Sequence, residues 1–199
     1  CNKPCAGGES CQSGKCVSPT KFPGSLVVSA SEGDQINSWI GSPSQMWTLC
    51  YRRTLHGANS VTFHNNCNGK GPSVVVASLN TGRKIGAYVT QSWSNCSCYV
   101  DDNNAFLFSL TNGFKHTCGG NICGSCGGCP YEMYCNSSYG PTFGAGHDWY
   151  ITSDMTTGYC NLGYTYNCRV SSYGNAACQN DFCGSYNGWN ITELEVWVK

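Results

Sequence analysis

A chain of 199 residues with eleven basic and eleven acidic side chains carries no formal net charge, and charged residues make up only 11% of it; it offers neither a basic patch for nucleic acid nor a polybasic face for acidic membranes. No apolar run is long enough to span a bilayer, and the length allows one substantial domain with a small appendage. Seventeen cysteines, about 9% of the residues, predict a disulfide scaffold that is secreted or on a cell surface, because cytosolic thiols stay reduced unless they bind metal, and these are scattered instead of gathered in zinc-like groups of four.

Residues 1–18 read as a small module with Cys1, Cys5, Cys11 and Cys16 separated by glycine-containing spacers. A segment this short has no core of its own and depends on its bridges; four cysteines allow three pairings. The spacing is similar to truncated EGF-like and related four-cysteine knots, and that resemblance implies Cys1 with Cys11 and Cys5 with Cys16. Residues 19–24, with Pro19 and Pro23 followed by Gly24, form a linker that cannot continue a regular element. The chain starts at Cys1 without a methionine, as a processed or trimmed terminus does.

Residues 25–199 read as the main domain. Ser25–Ser31 fits a short strand or a helix, Gln35–Ile40 a helical turn before Gly41-Ser42-Pro43, and Trp47–Tyr51 a buried strand. Asn59 is placed to cap a short helix carrying Val61, Phe63 and His64. Ser73–Leu79, the turn Asn80-Thr81-Gly82 and Ile85–Thr90 predict a hairpin, and Ala105–Leu110 a further strand. The glycine-rich stretch Tyr139–Asp148 reads as a tight loop feeding the strand Trp149-Tyr150-Ile151. Its Gly144-Ala145-Gly146 is turn chemistry and not a nucleotide loop, since Trp149 stands where the third glycine would be. At the end, Leu194, Val196 and Val198 alternate with Glu193, Glu195 and Trp197. Two-faced strands with turn-rich connections predict a mainly β fold of packed antiparallel sheets.

Several of these blocks together carry a family resemblance: Trp47–Tyr51 with His56-Gly57, Phe63-His64, Cys67–Ser73, Ile85–Tyr88, Ala105–Leu110, Pro141–Asp148 and Glu193–Trp197. In this order, over about 150 residues, the chain resembles a TLDc domain. The resemblance implies a two-sheet antiparallel β-sandwich with a few short helices. Intracellular members of that family are linked to protection from oxidative damage and to contact with proton-pumping ATPases. The cysteines and sequons set this chain apart, and it is more similar to extracellular relatives of protists and aquatic organisms.

Candidate chemistry follows the same pattern. Cys118, Cys123, Cys126, Cys129 and Cys135 cluster around 118–135, which looks like an insertion between family blocks; five intervening glycines leave it no core, so disulfides and not a metal are expected to staple it. Asn95, Asn136 and Asn190 open N-x-S/T sequons and are expected to carry N-linked glycans, Asn136 foremost, whereas the bridge-forming potential of Cys96 weighs against Asn95. Of the histidines at 56, 64, 116 and 147, none falls in a hydrolase motif, and the adjacent His147 and Asp148 side chains are expected to diverge if the segment is extended. Asp101-Asp102-Asn103-Asn104 has calcium-ligating oxygens but no EF-hand spacing, and reads as a turn. Twelve tyrosines and six tryptophans fill a core or stack on sugars. No catalytic residue, metal or cofactor is expected, and the chain does not read as an enzyme. The expectation is a structural or adhesive subunit of an extracellular filament or surface coat, joined to copies of itself through the amino-terminal arm; the alternative is a soluble monomeric module recognising carbohydrate or protein. The odd cysteine count leaves at least one thiol over, either free or bridging between chains.

Overall fold

The structure, a computed structural model, describes residues 2, 4, 5, 10–17, 19–121 and 131–199. At the amino terminus β1 (Ser10–Gln12) and β2 (Lys15–Val17) form a two-stranded hairpin. The Cys5–Cys16 bridge expected from the knot resemblance is present, and Cys11 is also disulfide-bonded; Cys1 lies outside the described residues.

The first helix, α1, runs Ala30–Ile40. Its start is a capping box: Glu32 N–H donates to Ser29 Oγ, and Ser29 N–H donates to the Glu32 carboxylate at 2.8 Å. Gly41 ends it at φ 78°, which glycine adopts without a Cβ penalty. The undecided stretch before Ser31 and the turn expected at Gln35–Ile40 are therefore a short loop and one continuous helix. β3 (Thr48–Arg52), α2 (Arg53–His56) and α3 (Ser60–Cys67) follow, and Asn59 caps α3 as expected by accepting from Val61 N–H at 2.7 Å.

The larger sheet takes the order β3-β13-β4-β5-β7-β8, with β4 (Ser73–Leu79), β5 (Lys84–Val89), β7 (Phe106–Ser109), β8 (Phe114–Thr117) and β13 (Ile191–Val198). The smaller sheet takes the order β12-β11-β10-β9-β6, with β6 (Cys98–Val100), β9 (Met133–Cys135), β10 (Thr142–Phe143), β11 (Trp149–Ile151) and β12 (Gly158–Cys160). A last helix, α4 (Ala176–Phe182), precedes β13. Every ladder is antiparallel, and the fold is the mainly β, two-sheet arrangement anticipated from the sequence.

Two cores result. Tyr51, Val75, Ala77, Leu107, Leu194 and Val196 from the large sheet share one cluster with Met133, Phe143, Trp149 and Ile151 from the small sheet. On the opposite face of the large sheet, Val74, Val76, Phe106, Phe108 and Trp197 pack against Phe22, Val27, Ile36 and Trp47, from the segment that holds α1. This explains the unbroken run Val74-Val75-Val76, since a strand covered on both faces has no polar side to alternate with. The same covering reaches the last strand, where both alternating sets are buried: Glu193, Glu195 and Trp197 as well as Leu194, Val196 and Val198.

Glu195 is fully buried because its carboxylate has a complete set of partners. It receives the Arg52 guanidinium, with Nε at 2.9 Å and the other nitrogen at 2.8 Å, the Ser25 hydroxyl, Leu26 N–H at 2.8 Å and Trp197 Nε1 at 3.1 Å. Gly86 matters on the same side, since a Cβ there would stand 2.3 Å from the Phe108 ring and 2.4 Å from Val75 O. Replacing Glu195 with Ala strands the Arg52 charge and three further donors and is expected to cost about 3–5 kcal/mol. Urea unfolding at constant slope should register that loss, with Glu195→Gln, which retains one acceptor oxygen, falling between the variant and the parent.

Candidate functional site

The small sheet's inward and outward faces divide with the period of two that strands impose. Met133 and Cys135, Trp149 and Ile151, and Cys160 are fully buried, whereas Tyr134, Tyr150 and Tyr159, the residues between or beside them, are only half-buried; on the edge strand β6, Tyr99 is exposed between the half-buried Cys98 and Val100. The register sets Tyr99 directly opposite Tyr134 and Tyr150 directly opposite Tyr159, with ring centroids 4.8 and 5.0 Å apart. Opposed rings on neighbouring strands are a stabilising cross-strand pair.

His147 joins the two pairs. It lies in the turn between β10 and β11 with φ 59°, a left-handed conformation that non-glycine residues adopt at some cost. Its ring packs 5.3 Å from Tyr134, 5.9 Å from Tyr139, 5.6 Å from Tyr150 and 6.0 Å from Tyr159, and its Nδ1 is hydrogen-bonded to the Tyr159 hydroxyl at 2.8 Å. Tyr131 extends the array beyond Tyr99, and Tyr186 extends it beyond Tyr159, with ring centroids 5.1 and 5.5 Å apart. These end rings are the more open ones, Tyr131 being 37% and Tyr186 41% exposed. The result is a continuous surface of seven tyrosines around one histidine.

This surface carries no charge at neutral pH. Burial holds the His147 imidazole below its ordinary value and therefore neutral. Burial likewise raises the Tyr150 phenol and pushes Tyr159 up to about 12. Arg52–Glu195, Lys84–Glu32 and Arg169–Asp181, the ion pairs among the described residues, involve none of its side chains. What remains is ring surface and hydroxyl groups that both donate and accept.

Asp148, next in sequence, points the other way, as the divergence of the pair required. Its fully buried carboxylate receives backbone N–H groups of Gly163 at 3.0 Å, Tyr164 at 3.2 Å, Thr165 at 3.0 Å and Tyr166 at 3.0 Å. Burial pushes it up to about 7 against the pull of these donors. The carboxylate also explains Gly144, where a Cβ would lie 2.4 Å from Asp148 Oδ1. Asp148 thus fastens the 163–166 loop under the turn that carries His147.

The other candidates make hydrogen bonds within the fold. His64 bonds Asn68 Oδ1 at 2.8 Å and Asn136 O at 2.9 Å, His116 bonds Asn167 O at 2.9 Å, and His56 Nδ1 accepts from Arg52 N–H at 2.9 Å. Asp102 is the anchor of its turn: Thr90 donates to it from both N–H and hydroxyl, and Gln91 and Asn104 from their N–H groups. Among the described residues no group of three His, Cys, Asp or Glu side chains is placed to hold a metal ion. Glu132 is fully buried and accepts from Asp102 N–H at 2.9 Å.

Among the described cysteines, Cys135 departs from expectation. Cys135, counted with the stapled insertion, lies on β9 facing the core with a free thiol, because that strand and not the loop sets its direction. Cys123, Cys126 and Cys129 lie outside the described residues, and Cys118 is buried, its backbone paired antiparallel with Tyr166 in an isolated β-bridge. Bridges that the sequence had no means of pairing, Cys50–Cys67, Cys160–Cys183 and Cys168–Cys178, fasten β3 to α3 and the segments around α4; Cys96–Cys98 closes on the sequon at Asn95. Asn95 and Asn190 are exposed. Asn136 is half-buried, with Nδ2 donating to Ser97 Oγ at 3.3 Å and Oδ1 accepting from Ser138 N–H at 2.8 Å. No helix among the described residues is long and apolar enough to cross a membrane.

A model of the TLDc domain family matches residues 23–198. Among curated proteins, the chain is 27% identical over 67 residues to the zebrafish (Danio rerio) MTOR-associated protein MEAK7. That alignment takes in 34% of this chain and only 15% of the relative.

Two outcomes test the site's construction. Asp148→Asn turns an amide N–H₂ toward main-chain donors and should destabilise the domain by roughly 2–5 kcal/mol in denaturant unfolding. The Tyr159 phenol has its folded value raised to about 12 from 10; its stabilising contribution is whole below pH 10 and is lost as pH rises toward 12, because the unfolded chain ionises first. Thermal melts across pH 9–12 should fall through that window, and less steeply in Tyr159→Phe.

Proposed function

The chain belongs to the TLDc domain family, and from that premise we propose that it is a non-enzymatic structural or adhesive subunit of an extracellular assembly, which makes its contacts through the tyrosine face of the small sheet. The observation that carries this reading is the face itself: seven tyrosines and a neutral histidine, contiguous, half-exposed and without an ionised side chain. Tyrosine supplies large contact area at a small cost in side-chain entropy, and its hydroxyl group finds partners where the ring is covered.

Three further features support the reading. Bridges distributed from Cys5 to Cys183 suit an oxidising environment. The formal net charge of zero removes long-range repulsion between copies. The β1–β2 hairpin with its Cys5–Cys16 bridge forms a small arm preceding the proline-containing linker, suited to a head-to-tail contact that builds a filament unless it closes a ring. N-linked glycans are expected at Asn95, Asn136 and Asn190; Asn190 is exposed and Asn136 half-buried, and the bridging of Cys96 to Cys98 weighs against Asn95. The alternative, a monomeric recognition module, draws on the same face, whose ring surfaces and hydroxyl groups suit a neutral polyhydroxylated ligand better than a charged one.

Secreted full-length protein should sediment and image as repeating assemblies. The double substitution Tyr150→Ala with Tyr99→Ala should weaken assembly at least tenfold while lowering folding stability only by the roughly 0.2–1 kcal/mol that each cross-strand pair contributes, too little to unfold the domain. A homogeneous monomer at micromolar concentration with its arm intact defeats the assembly reading; if that monomer also binds neutral polysaccharide saturably, the recognition reading takes its place.

A further inference from the structure

One buried nucleophile has no part in the tyrosine face. Cys135 is fully buried with a free thiol, and the antiparallel register of β6 and β9 sets it directly opposite Cys98. Side chains of directly opposed residues leave the sheet on the same face with Cβ atoms about 4.5–5.5 Å apart. For this pair that face is the inward one, because their neighbours Tyr99 and Tyr134 stack on the outside. Cys98 is already bonded, to Cys96, whose sulfur lies 3.9 Å from Cys135 O. A free thiol and both sulfurs of a disulfide are thus gathered at one edge of the small sheet.

The existing bridge is the weakest way to join these three cysteines. It spans a single residue, Ser97, which is held at φ 53°. A non-glycine residue in that region costs free energy that the surroundings must supply. So short a ring also constrains the unfolded chain very little, whereas a Cys98–Cys135 bond would close a far longer loop and tie β6 to β9. Exposure differs in the same sense: Cys96 is exposed, Cys98 half-buried and Cys135 sealed.

We propose that Cys135, Cys98 and Cys96 form an internal thiol–disulfide exchange relay that carries the Cys135 free thiol from the core to the surface, making Cys96 a site of modification by external disulfides. In the step, Cys135 gives up its proton to solvent and its thiolate attacks the Cys98 sulfur. The Cys98–Cys135 bond forms, the Cys96–Cys98 bond breaks, and Cys96 leaves as a thiolate that takes up a proton. Nothing is oxidised or reduced overall, so no external reagent is needed. An external disulfide, small or borne by another protein, is then attacked by the Cys96 thiolate, giving a mixed disulfide and releasing one thiolate. Exchange of this kind goes through the thiolate, and burial, only partly opposed by hydrogen bonds from Ser94, keeps the Cys135 thiol above its ordinary value. The relay therefore waits on opening of β6, a three-residue strand at the sheet edge, and such edges open at low cost relative to a core. The relay is independent of what the tyrosine face binds.

The test uses the intact, oxidatively folded chain. Native protein is treated with iodoacetamide, quenched, digested without reduction and mapped; a second sample is treated with glutathione disulfide. The expected result is label on Cys96 at least tenfold faster than on Cys135, a Cys98–Cys135 linked peptide in the labelled fraction, and glutathione on Cys96. Cys135→Ser and Cys135→Ala should each abolish labelling at Cys96, leaving Cys96–Cys98 intact. Label confined to Cys135, or a Cys96–Cys98 bridge that remains intact in all of the wild-type protein, overturns the relay. So does equal Cys96 labelling in either Cys135 variant. The wild-type map decides the question by itself if neither variant folds.

Discussion

The buried carboxylate of Glu195 is the constraint on which the fold's two-core arrangement depends. It sits in the middle of the large sheet, where an unpaired charge would cost several kcal/mol. Its partners come from three places: Arg52 on the neighbouring strand, Trp197 two residues on, and Ser25 with Leu26 in the segment leading into α1. Arg52 in turn donates to Gly24 O at 2.7 Å. One group therefore fixes β3 beside β13 and also pins the covering layer against the sheet. Phe22, stacked on Trp47 at 5.9 Å and edge-on to Trp197 at 5.4 Å, completes that layer with apolar area. The ionic group supplies position, and the aromatic burial supplies most of the driving force.

The small sheet solves a different problem. Its strands are two or three residues long, and strands that short hold together only with help from their connections. Asp148 supplies that help by gathering four consecutive main-chain donors from the 163–166 loop. Because His147 and Asp148 are adjacent and diverge, the turn that buries the carboxylate also presents the imidazole. The inner fastening and the outer aromatic surface are thus two consequences of one backbone conformation, and the left-handed φ of His147 is held in place by Gly144 on one side and by Asp148 on the other.

The disulfides share their work unevenly. Cys50–Cys67 and Cys160–Cys183 join separate elements across long stretches of chain and lower the entropy of the unfolded state. Cys96–Cys98 joins a turn to itself and contributes little of that kind. A chain with an odd number of cysteines leaves at least one without an internal partner, and among the described residues the free thiol of Cys135 lies under the edge strand that carries this weakest bridge.

Local rules made much of this legible from the sequence. The Asn59 cap, the hairpin from Ser73 to Val89 and the strand after Trp149 follow from capping chemistry, turn residues and side-chain period, which act over a few residues. The S-x-x-E signature at Ser29–Glu32 carried the start of α1 equally plainly and was obscured by the apolar run before it. Whether a strand face meets water or a second layer is not a local property. The alternation at the end of the chain marks Glu193, Glu195 and Trp197 as one face without saying what covers it, and the packing of Phe22, Trp47 and α1 over the large sheet makes that side a second core. The tyrosine face was equally hidden, since Tyr99, Tyr134, Tyr150, Tyr159 and Tyr186 are far apart in sequence and become neighbours through strand register alone. Cysteine content pointed to bridges, but which sulfurs meet depends on three-dimensional proximity, so the pairing of Cys50 with Cys67 and the isolation of Cys135 were decided by the tertiary structure.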